Sequence, residues 1–577
     1  MNQMLQPNDV SQLEALLGDP WAPLNAIGFN AVLAADERQE LLLAGEALLD
    51  QYQLNAQFVP LELGGRLVSL NGLIAVMRCL FRRDPSLGLG YGASSFLTAV
   101  NVWTAGRPEQ QTRVADILLG NGKLACAYHE LGHGNDISRA DCSAVLHPDR
   151  LTLQGGKQVI ANVARAQALL VYARTASGTG GRSHSQILLE RTETAAGTLV
   201  DLARYSTSGM RGIALGGIEF KQCDLPLENL VGNPGQGLET TLKAFQLTRV
   251  ALPGMFSGIL DTGLRLTLRH CRTRTLYSKP VSELPQVRAR LAEGFADLLL
   301  CDAFVSVAAN AAHVVPTTLN LYGSAVKALV PAVLVAAMDS LASVLGAHSY
   351  IREGDMAIFQ KLLRDLQPVG FGHAARISCL MTLLPQLPLL AKTAWNKAAR
   401  APEGLFELDG QQTPLRFDRL KLSSGGHDTL LASLLELSTQ EPTQGRCESE
   451  IFHLVRLFAD ELKALREQCA ALTAQETTAR ASPESFRLAS RYSVLLCASA
   501  CLGLWQSQQQ HTTDPFLAQP AWILAVLLRL ADRSGLPRQP MPAMPTQALL
   551  NELTQRYMSR QSFDLSRLPL ATTAGWH

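Results

Sequence analysis

The texture of this chain changes twice along its length, and those changes limit the folds open to it more than any single motif does. Before about residue 120 apolar residues recur at helical spacing. Leu41, Leu42, Leu43, Ala47, Leu48 and Leu49 predict one helix over 36–52, and 68–81 and 97–102 continue the pattern, broken at Pro60, Gly64-Gly65, Pro85 and Gly88. From Leu124 to about Leu230 short runs rich in β-formers take over, such as 185–190 and 217–220, with turns at 178–181 and 216–217. Helical periodicity then returns over 240–270, 283–314 and 327–345. Segregated blocks of this kind predict an α+β architecture with separate helical and sheet domains and argue against alternating βαβ units.

At 577 residues the chain exceeds what one core comfortably supports. Beyond Leu390 a polar link with Pro and Gly, 397–412, marks a boundary. Four more amphipathic helices are predicted after it, over 448–474, 482–506, 514–532 and 544–561. The expected domains are therefore 1–120 (helical), 121–237 (β), 238–395 (helical bundle) and 396–577 (helical extension).

Charge and cysteines narrow the function classes. The 51 basic and 50 acidic residues leave a net charge of +1, which gives nucleic acid or an anionic membrane no purchase as main partner. The 11 cysteines include no C-x-x-C pair and no His–Cys ligand spacing, so packed thiols are expected and no metal site. The first twenty residues lack a basic region and a long apolar core. The apolar runs 328–338 and 492–505 are shorter than the ~20 residues of a membrane span. A cytoplasmic protein with no transmembrane segment is the expectation.

The stretch 123–165, KLACAYHELGHGNDISRADCSAVLHPDRLTLQGGKQVIANVAR, holds a Gly-rich turn at 130–136. Glycines beside Asn135 allow backbone N–H groups to converge on an anion such as a pyrophosphate. Glu130, Gly132, Gly134, Asp136, Lys157, Ile160 and Asn162 resemble the T-E-P-G-A-G-S-D and K-x-W-I-T-N segments of the acyl-CoA dehydrogenase family; His129, Leu131, His133, Asn135, Val159 and Ala161 depart from them. A second passage, MRGIALGGIEFKQCDLPLENLVGNPGQGLE, is similar to the same family through Met210, Arg211, Gly212, Phe220, Pro226, Asn229, Leu230, Gly232, Gly235 and Gly237. The block order is also that of the acyl-CoA dehydrogenase fold, and the C-terminal extension resembles the family's very-long-chain branch.

The resemblance implies bound FAD. The backbone of Tyr128, His129 and Glu130 would face the pyrimidine side of the flavin, with Gly134 and Asn135 at the pyrophosphate and Ile160 and Ala161 near the ring. Val159 replaces the family's stacking Trp, and Ala161 its N5-contacting Thr or Ser. Adenosine and pyrophosphate contacts cross between subunits in the family; here they would come from Arg274, Tyr277 and Gly346, implying a homodimer or dimer of dimers. Arg274 reads equally as a phosphate-gripping fork or a solvated helix end. Arg249 matches the arginine of the family's F-D-x-x-R helix, near the thioester pocket.

The catalytic base is where the chain leaves the family pattern. Leu362-Leu363-Arg364-Asp365 is intact, but the Glu expected after it is absent, and His373 stands at that position within VGFGHAA. The alternative position beside Arg249 holds Thr248. A neutral imidazole can accept the proton; an exposed or structural histidine is the other reading. The resemblance thus implies FAD-dependent α,β-dehydrogenation of an acyl-CoA or acyl-carrier-protein thioester, with a flavoprotein or oxygen as electron acceptor. A flavin-dependent monooxygenase of the same fold, using FAD or FMN, and a non-catalytic flavoprotein relative are the alternatives.

Overall fold

The computed structural model describes residues 7–178, 180–408, 413–440, 446–511, 514–536 and 540–571. The end of the expected link (409–412) and part of the 178–181 turn lie outside them. The chain divides into two compact units, 1–9 with 16–248, and 10–15 with 249–577. The four expected segments thus group in pairs: the N-terminal helices with the β-domain, and the bundle with the extension.

In the first unit, α1 (Pro7–Leu17), α2 (Phe29–Arg38), α3 (Leu43–Tyr52), α4 (Leu70–Arg83), α5 (Pro85–Leu87), α6 (Ser94–Ala105) and α7 (Pro108–Leu119) precede the sheet. The single helix expected over 36–52 is two. Gln39 sits at φ 58°, and the N–H groups of Gln39 and Glu40 bond back to Asp36 O and Ala35 O, the closing pattern of a helix with a left-handed cap. Leu41 and Leu42 are buried in the connection, so the leucine cluster marks a buried loop rather than a helix face.

The sheet comprises β1 (Leu124–Ala127), β2 (Ser143–Leu146), β3 (Arg150–Ala161), β4 (Ala168–Arg174), β5 (His184–Glu190), β6 (Leu199–Asp201), β7 (Leu215–Pro226) and β8 (Leu230–Val231), ordered β6-β7-β3-β2-β4-β5-β8 with β1 parallel to β4. Leu151, Leu153, Leu169, Val171, Ile187, Leu189, Ile218 and Phe220 alternate inward and form its core. β3 is bulged between Lys157 and Ile160. The bulge puts Val159 at φ 59°, a conformation that opposes its branched Cβ.

The division between units falls inside α8 (Gly237–Thr273), between Thr248 and Arg249. The second unit continues with a hairpin, β9 (Thr275–Leu276) and β10 (Lys279–Pro280), then α9 (Pro285–Val314), α10 (Leu319–Leu345), α11 (Ala357–Leu366), α12 (Arg376–Leu383) and α13 (Leu387–Thr393). The extension holds α14 (Thr429–Ser438), which the periodicity did not reveal, α15 (Arg446–Ala470), α16 (Pro483–Gln510), α17 (Pro515–Ala518), α18 (Pro520–Ser534) and α19 (Ala543–Met558). The helix expected over 514–532 is interrupted by extended Gln519, with Pro520 restarting it as α18.

Buried polar groups fasten the extension to the bundle. Asp428, the N-cap of α14, accepts from Tyr492 Oη (2.8 Å), Trp395 Nε1 (3.1 Å), Tyr322 Oη (3.3 Å) and the N–H of Leu431 (3.3 Å). After α19, the N–H of Phe563 donates to Asp261 and that of Leu565 to Asp302, both at 2.8 Å.

One expectation is overturned. Three helical segments, Pro285–Val314, Pro316–Ser349 and Pro483–Gln510, are long and apolar enough to cross a membrane by length and composition. The runs 328–338 and 492–505 looked short because polar residues flank them, but the helices continue past those residues. Their most apolar windows are 94%, 56% and 89% buried by the protein's own packing.

Candidate functional site

The candidate residues fall into one cluster in each unit. In the first, Glu130 is the organising side chain. Its carboxylate accepts from Lys157 Nζ at 2.7 Å and from the N–H groups of Asp141 (2.8 Å) and Cys142 (3.0 Å). Lys157 also donates to Tyr128 O at 3.2 Å, and its side chain is fully buried. Burial by itself would raise the Glu130 carboxyl, but the Lys157 ammonium and these hydrogen bonds outweigh it and hold the group below the usual carboxylate range. Glu130 is therefore an ionised scaffold group. Both its oxygens are committed to the turn, which leaves its backbone for the flavin contact that the resemblance implies.

Around this pair the turn stays open. Cβ atoms built at Gly132 and Gly134 would meet nothing within 4 Å, and Gly134 lies at φ 54°. Asn135 is exposed, as the resemblance requires of a pyrophosphate contact. Leu131 and Val159 are exposed apolar side chains on either side of Gln158, whose Oε1 accepts from the Leu131 N–H at 3.2 Å. His129 places Nδ1 3.3 Å from Gly134 O, and burial keeps its imidazole below the ordinary histidine range.

The Tyr128 side chain points into the unit, where its hydroxyl donates to Asn101 Oδ1 at 2.8 Å and receives Gln186 Nε2 at 2.6 Å. Ile160 is buried in the sheet core. The contact that the resemblance implies for Tyr128 is a backbone one, and the Ile160 side chain, expected near the ring, packs in the sheet core. Ala161 is half-buried at the end of β3, opposite Leu215. Asn162 donates to Gly90 O and Ser94 Oγ, which ties the end of β3 to the π-helical turn Gly88–Ala93. It is an architectural residue.

His133, Glu130 and Asp141 bring three potential metal-ligand atoms within 4.8 Å of one another. His133 Nε2 is paired with Asp141 Oδ2 at 2.9 Å. With the Glu130 oxygens taken by Lys157 and two N–H groups, the trio is an internally satisfied brace.

In the second unit Arg249 is 3% exposed and donates from Nη1 to Ser324 Oγ (2.9 Å) on α10 and Thr382 Oγ1 (3.2 Å) on α12. Lys327, one turn after Ser324, is 2% exposed and donates to Val369 O (2.8 Å) and Gly372 O (3.1 Å). Burial lowers Lys327 to about 8; nearby Cys379 opposes that shift and Arg249 adds to it. Burial raises the Cys379 thiol, and the two cations pull it back. Lys327 was not singled out from the sequence, although it is the one charged residue in the run LNLYGSAVKALVPAVLVAAM.

His373 lies on the loop that Lys327 holds. It is half-buried at φ 64°, and the N–H of Ala374 donates to Gly372 O at 2.8 Å across it, which makes a positive-φ γ-turn. Thr248, the alternative base position, is buried with its hydroxyl 3.3 Å from Phe245 O. Asp365 is paired with Lys361 inside the bundle.

Arg274, Tyr277 and Gly346 are all exposed. Arg274 Nη1 is 3.5 Å from His270 Nε2, and among the described residues it makes no ion pair. Tyr277, 88% exposed, and Ser278 form the positive-φ turn of the β9–β10 hairpin. Gly346 ends α10 at φ 57° with open space where a Cβ would stand.

A separate cavity of about 820 Å³ lies among α10, α12, α15, α16 and α18. Arg376, Arg491 and Arg533 line it, and Arg249, Lys327 and His373 do not.

Comparison with known proteins agrees with this architecture. The family model for the acyl-CoA dehydrogenase C-terminal domain matches residues 235–372. Isovaleryl-CoA dehydrogenase of Oryza sativa is 26% identical over 259 residues, 45% of this chain and 63% of that protein. The Solanum tuberosum protein of the same name is 26% identical over 329 residues, 56% of this chain and 78% of that one. Among solved structures, an acyl-CoA dehydrogenase from Bacillus anthracis complexed with FAD superposes with a TM-score of 0.65 at 15% identity, covering 95% of this chain and 90% of its own. Butyryl-CoA dehydrogenase from Megasphaera elsdenii gives 0.58 at 18% identity, covering 66% and 98%.

The architecture, a helical and mixed-sheet unit followed by a helical bundle, is the acyl-CoA dehydrogenase fold. Residues 235–372 match the acyl-CoA dehydrogenase C-terminal domain, and the chain as a whole is similar to acyl-CoA dehydrogenases in sequence and fold. The match to the rice relative spans just under two thirds of that relative's length.

Proposed function

We propose that the protein is an FAD-dependent oxidoreductase that desaturates an acyl thioester at Cα–Cβ, with His373 as the base. The observation that carries this reading is the strained His373 turn, set on a loop held by one buried cation, Lys327, which neighbours a second, Arg249. Strained turns of this kind concentrate at functional sites.

The residues of the first unit fit the flavin. A turn whose glycines face open space suits a pyrophosphate, and exposed Leu131 and Val159 suit an aromatic ring. When bound, FAD supplies the two-electron acceptor for the hydride leaving Cβ. The α-proton goes to the neutral imidazole of His373, and the electron pair of the Cα–H bond becomes the new π bond as hydride leaves. The buried charges of Arg249 and Lys327 favour the negative charge that develops on the thioester side as the proton is lost.

Relatives named for isovaleryl-CoA and short-chain acyl-CoA dehydrogenation support a CoA thioester, and the fold is shared with a prolyl acyl carrier protein oxidase, AnaB, so a carrier-bound acyl group is the second arm of the test. Electrons would pass to an electron-transferring flavoprotein or to oxygen. A homodimer or dimer of dimers belongs to this reading, supported by the exposure of Arg274, Tyr277 and Gly346 in the isolated chain. A cytoplasmic setting belongs to it too, supported by eleven cysteines that form no disulfide among the described residues.

The test is anaerobic titration of the FAD-loaded protein with acyl-CoA and acyl-carrier-protein thioesters. Bleaching of the flavin's visible absorbance is expected. No bleaching, with oxygen consumption on supplied reduced flavin, would identify an oxygenase instead. No bleaching and no oxygen consumption would identify a non-catalytic relative.

A further inference from the structure

We infer that Lys327 is a positioning residue for His373: its ammonium grips the carbonyls of Val369 and Gly372 and so fixes the turn that aims the imidazole. The inference rests on the reading of His373 as base and adds the device that holds it.

The geometry singles out this lysine. It is 2% exposed inside the apolar helix α10, where a methionine of similar shape would fill the space without desolvating a charge. Among the described residues it makes no ion pair; its two recorded acceptors, at 2.8 and 3.1 Å, lie on one loop. The titratable and charged side chains recorded around it are Cys379 from α12 and Arg249 from α8. A buried ammonium whose bonds all go to one loop spends its interactions on that loop's conformation.

That conformation requires holding. His373 sits at φ 64°, which an L-residue adopts only under constraint. The Gly372 carbonyl is shared between Lys327 Nζ and the N–H of Ala374, so one acceptor both closes the turn and anchors it to α10. Gly372 is itself confined: a Cβ there would lie 2.8 Å from Pro368 O. Without the lysine, the turn would relax toward negative φ at His373 and the ring would swing away. The second neighbour, Arg249, keeps its own bonds to Ser324 and Thr382 and does not substitute for the clamp.

The test compares the full-length FAD-loaded wild type with Lys327→Met, Lys327→Arg and Gly372→Ala. Hydrogen exchange of the 368–375 segment is expected to rise at least tenfold in Lys327→Met, with α9 and α16 unchanged. Flavin bleaching by acyl thioester is expected to slow by about 100-fold while the substrate-induced spectral shift persists, the loss typical of a misplaced catalytic group. Lys327→Arg should recover part of the rate. Gly372→Ala disturbs the loop without touching α10 and should reproduce both effects if Lys327→Met does not fold.

Unchanged exchange of the loop in Lys327→Met, or faster exchange with an unchanged bleaching rate, would overturn the inference. If the wild type itself is not bleached, the dehydrogenase reading fails separately. Loop exchange and the rate of His373 carbethoxylation then decide the clamp: both rising in the variant supports it, and neither rising overturns it.

Discussion

Lys157 Nζ lies 2.7 Å from Glu130 Oε1, and the fully buried lysine also reaches the carbonyl of Tyr128. This pair joins β3 to the Gly-rich turn, so the turn's shape depends on it rather than on the turn's own sequence. Removing one partner leaves the other charge buried, a loss of about 3–5 kcal/mol. Lys157→Met is therefore expected to lower the thermal midpoint and to lose FAD on gel filtration. The check is a melt with and without added FAD; an unchanged midpoint would remove the pair as scaffold.

The same pair has a pH signature. The folded-state value of Glu130 lies below its ordinary 4.5, so its stabilisation is fully present above that value. It is lost as the pH falls through the depressed folded value. Glu130→Gln should flatten the acid limb of a stability–pH curve and lower the plateau near neutrality, measured by denaturant unfolding from pH 3 to 7.

Much of this was legible in the sequence because it rests on backbone chemistry. The glycine spacing at 130–136 and the block order each leave a local trace, and the structure keeps both. What could not be read is pairing across distance. Nothing near Glu130 in the sequence shows that its carboxylate is taken by Lys157. Nothing near Tyr128 shows that Asn101 and Gln186 hold its hydroxyl. Leu41 and Leu42 carried helical period yet fill a loop, because burial rather than periodicity decides where they go. Lys327 did leave a sign, one cation in an apolar helix, but its meaning depends on a loop more than forty residues further on.

Arg274 tests the cofactor assignment in the second unit. Its guanidinium is exposed, makes no ion pair among the described residues and lies beside an exposed hairpin. Arg274→Ala is expected to weaken FAD retention by about 10- to 100-fold, the value of one charge-assisted hydrogen bond, with the far-UV spectrum unchanged. Full retention would place Arg274 on a solvated face.

Asp428 tests how the extension is held. Burial raises its carboxyl despite hydrogen bonds from Trp395, Tyr492, Leu431 and Tyr322. A raised folded value means that stability falls as the pH rises through it, so the charged form is carried at a cost. Asp428→Asn, still a good N-cap, should cost about 1 kcal/mol or less. Asp428→Ala strands several buried donors, each worth about 1–3 kcal/mol, and should loosen α14 and α16 in limited proteolysis. Equal stability of the two variants would show that the network does not fasten the extension.

His373 decides between a working enzyme and a relic. As base it must be neutral, so the bleaching step should accelerate as the pH rises through the range in which imidazoles titrate. His373→Ala is expected to slow bleaching by 100-fold or more, within the usual contribution of a general base, and to leave the substrate-induced spectral shift intact. His373→Glu puts a carboxylate where the family pattern has one and should restore bleaching with its rise moved to lower pH. The turn's φ of 64° is uncommon for any non-glycine residue and histidine tolerates it better than most, so the retained spectral shift is the control for a disturbed backbone. Glu130 cannot take over, because its oxygens are bonded to Lys157, Asp141 and Cys142 and its carboxyl is held ionised at low basicity. An unchanged bleaching rate in His373→Ala would therefore remove His373 as the base and move that role to another side chain, such as a tyrosine, while the dehydrogenase reading stands.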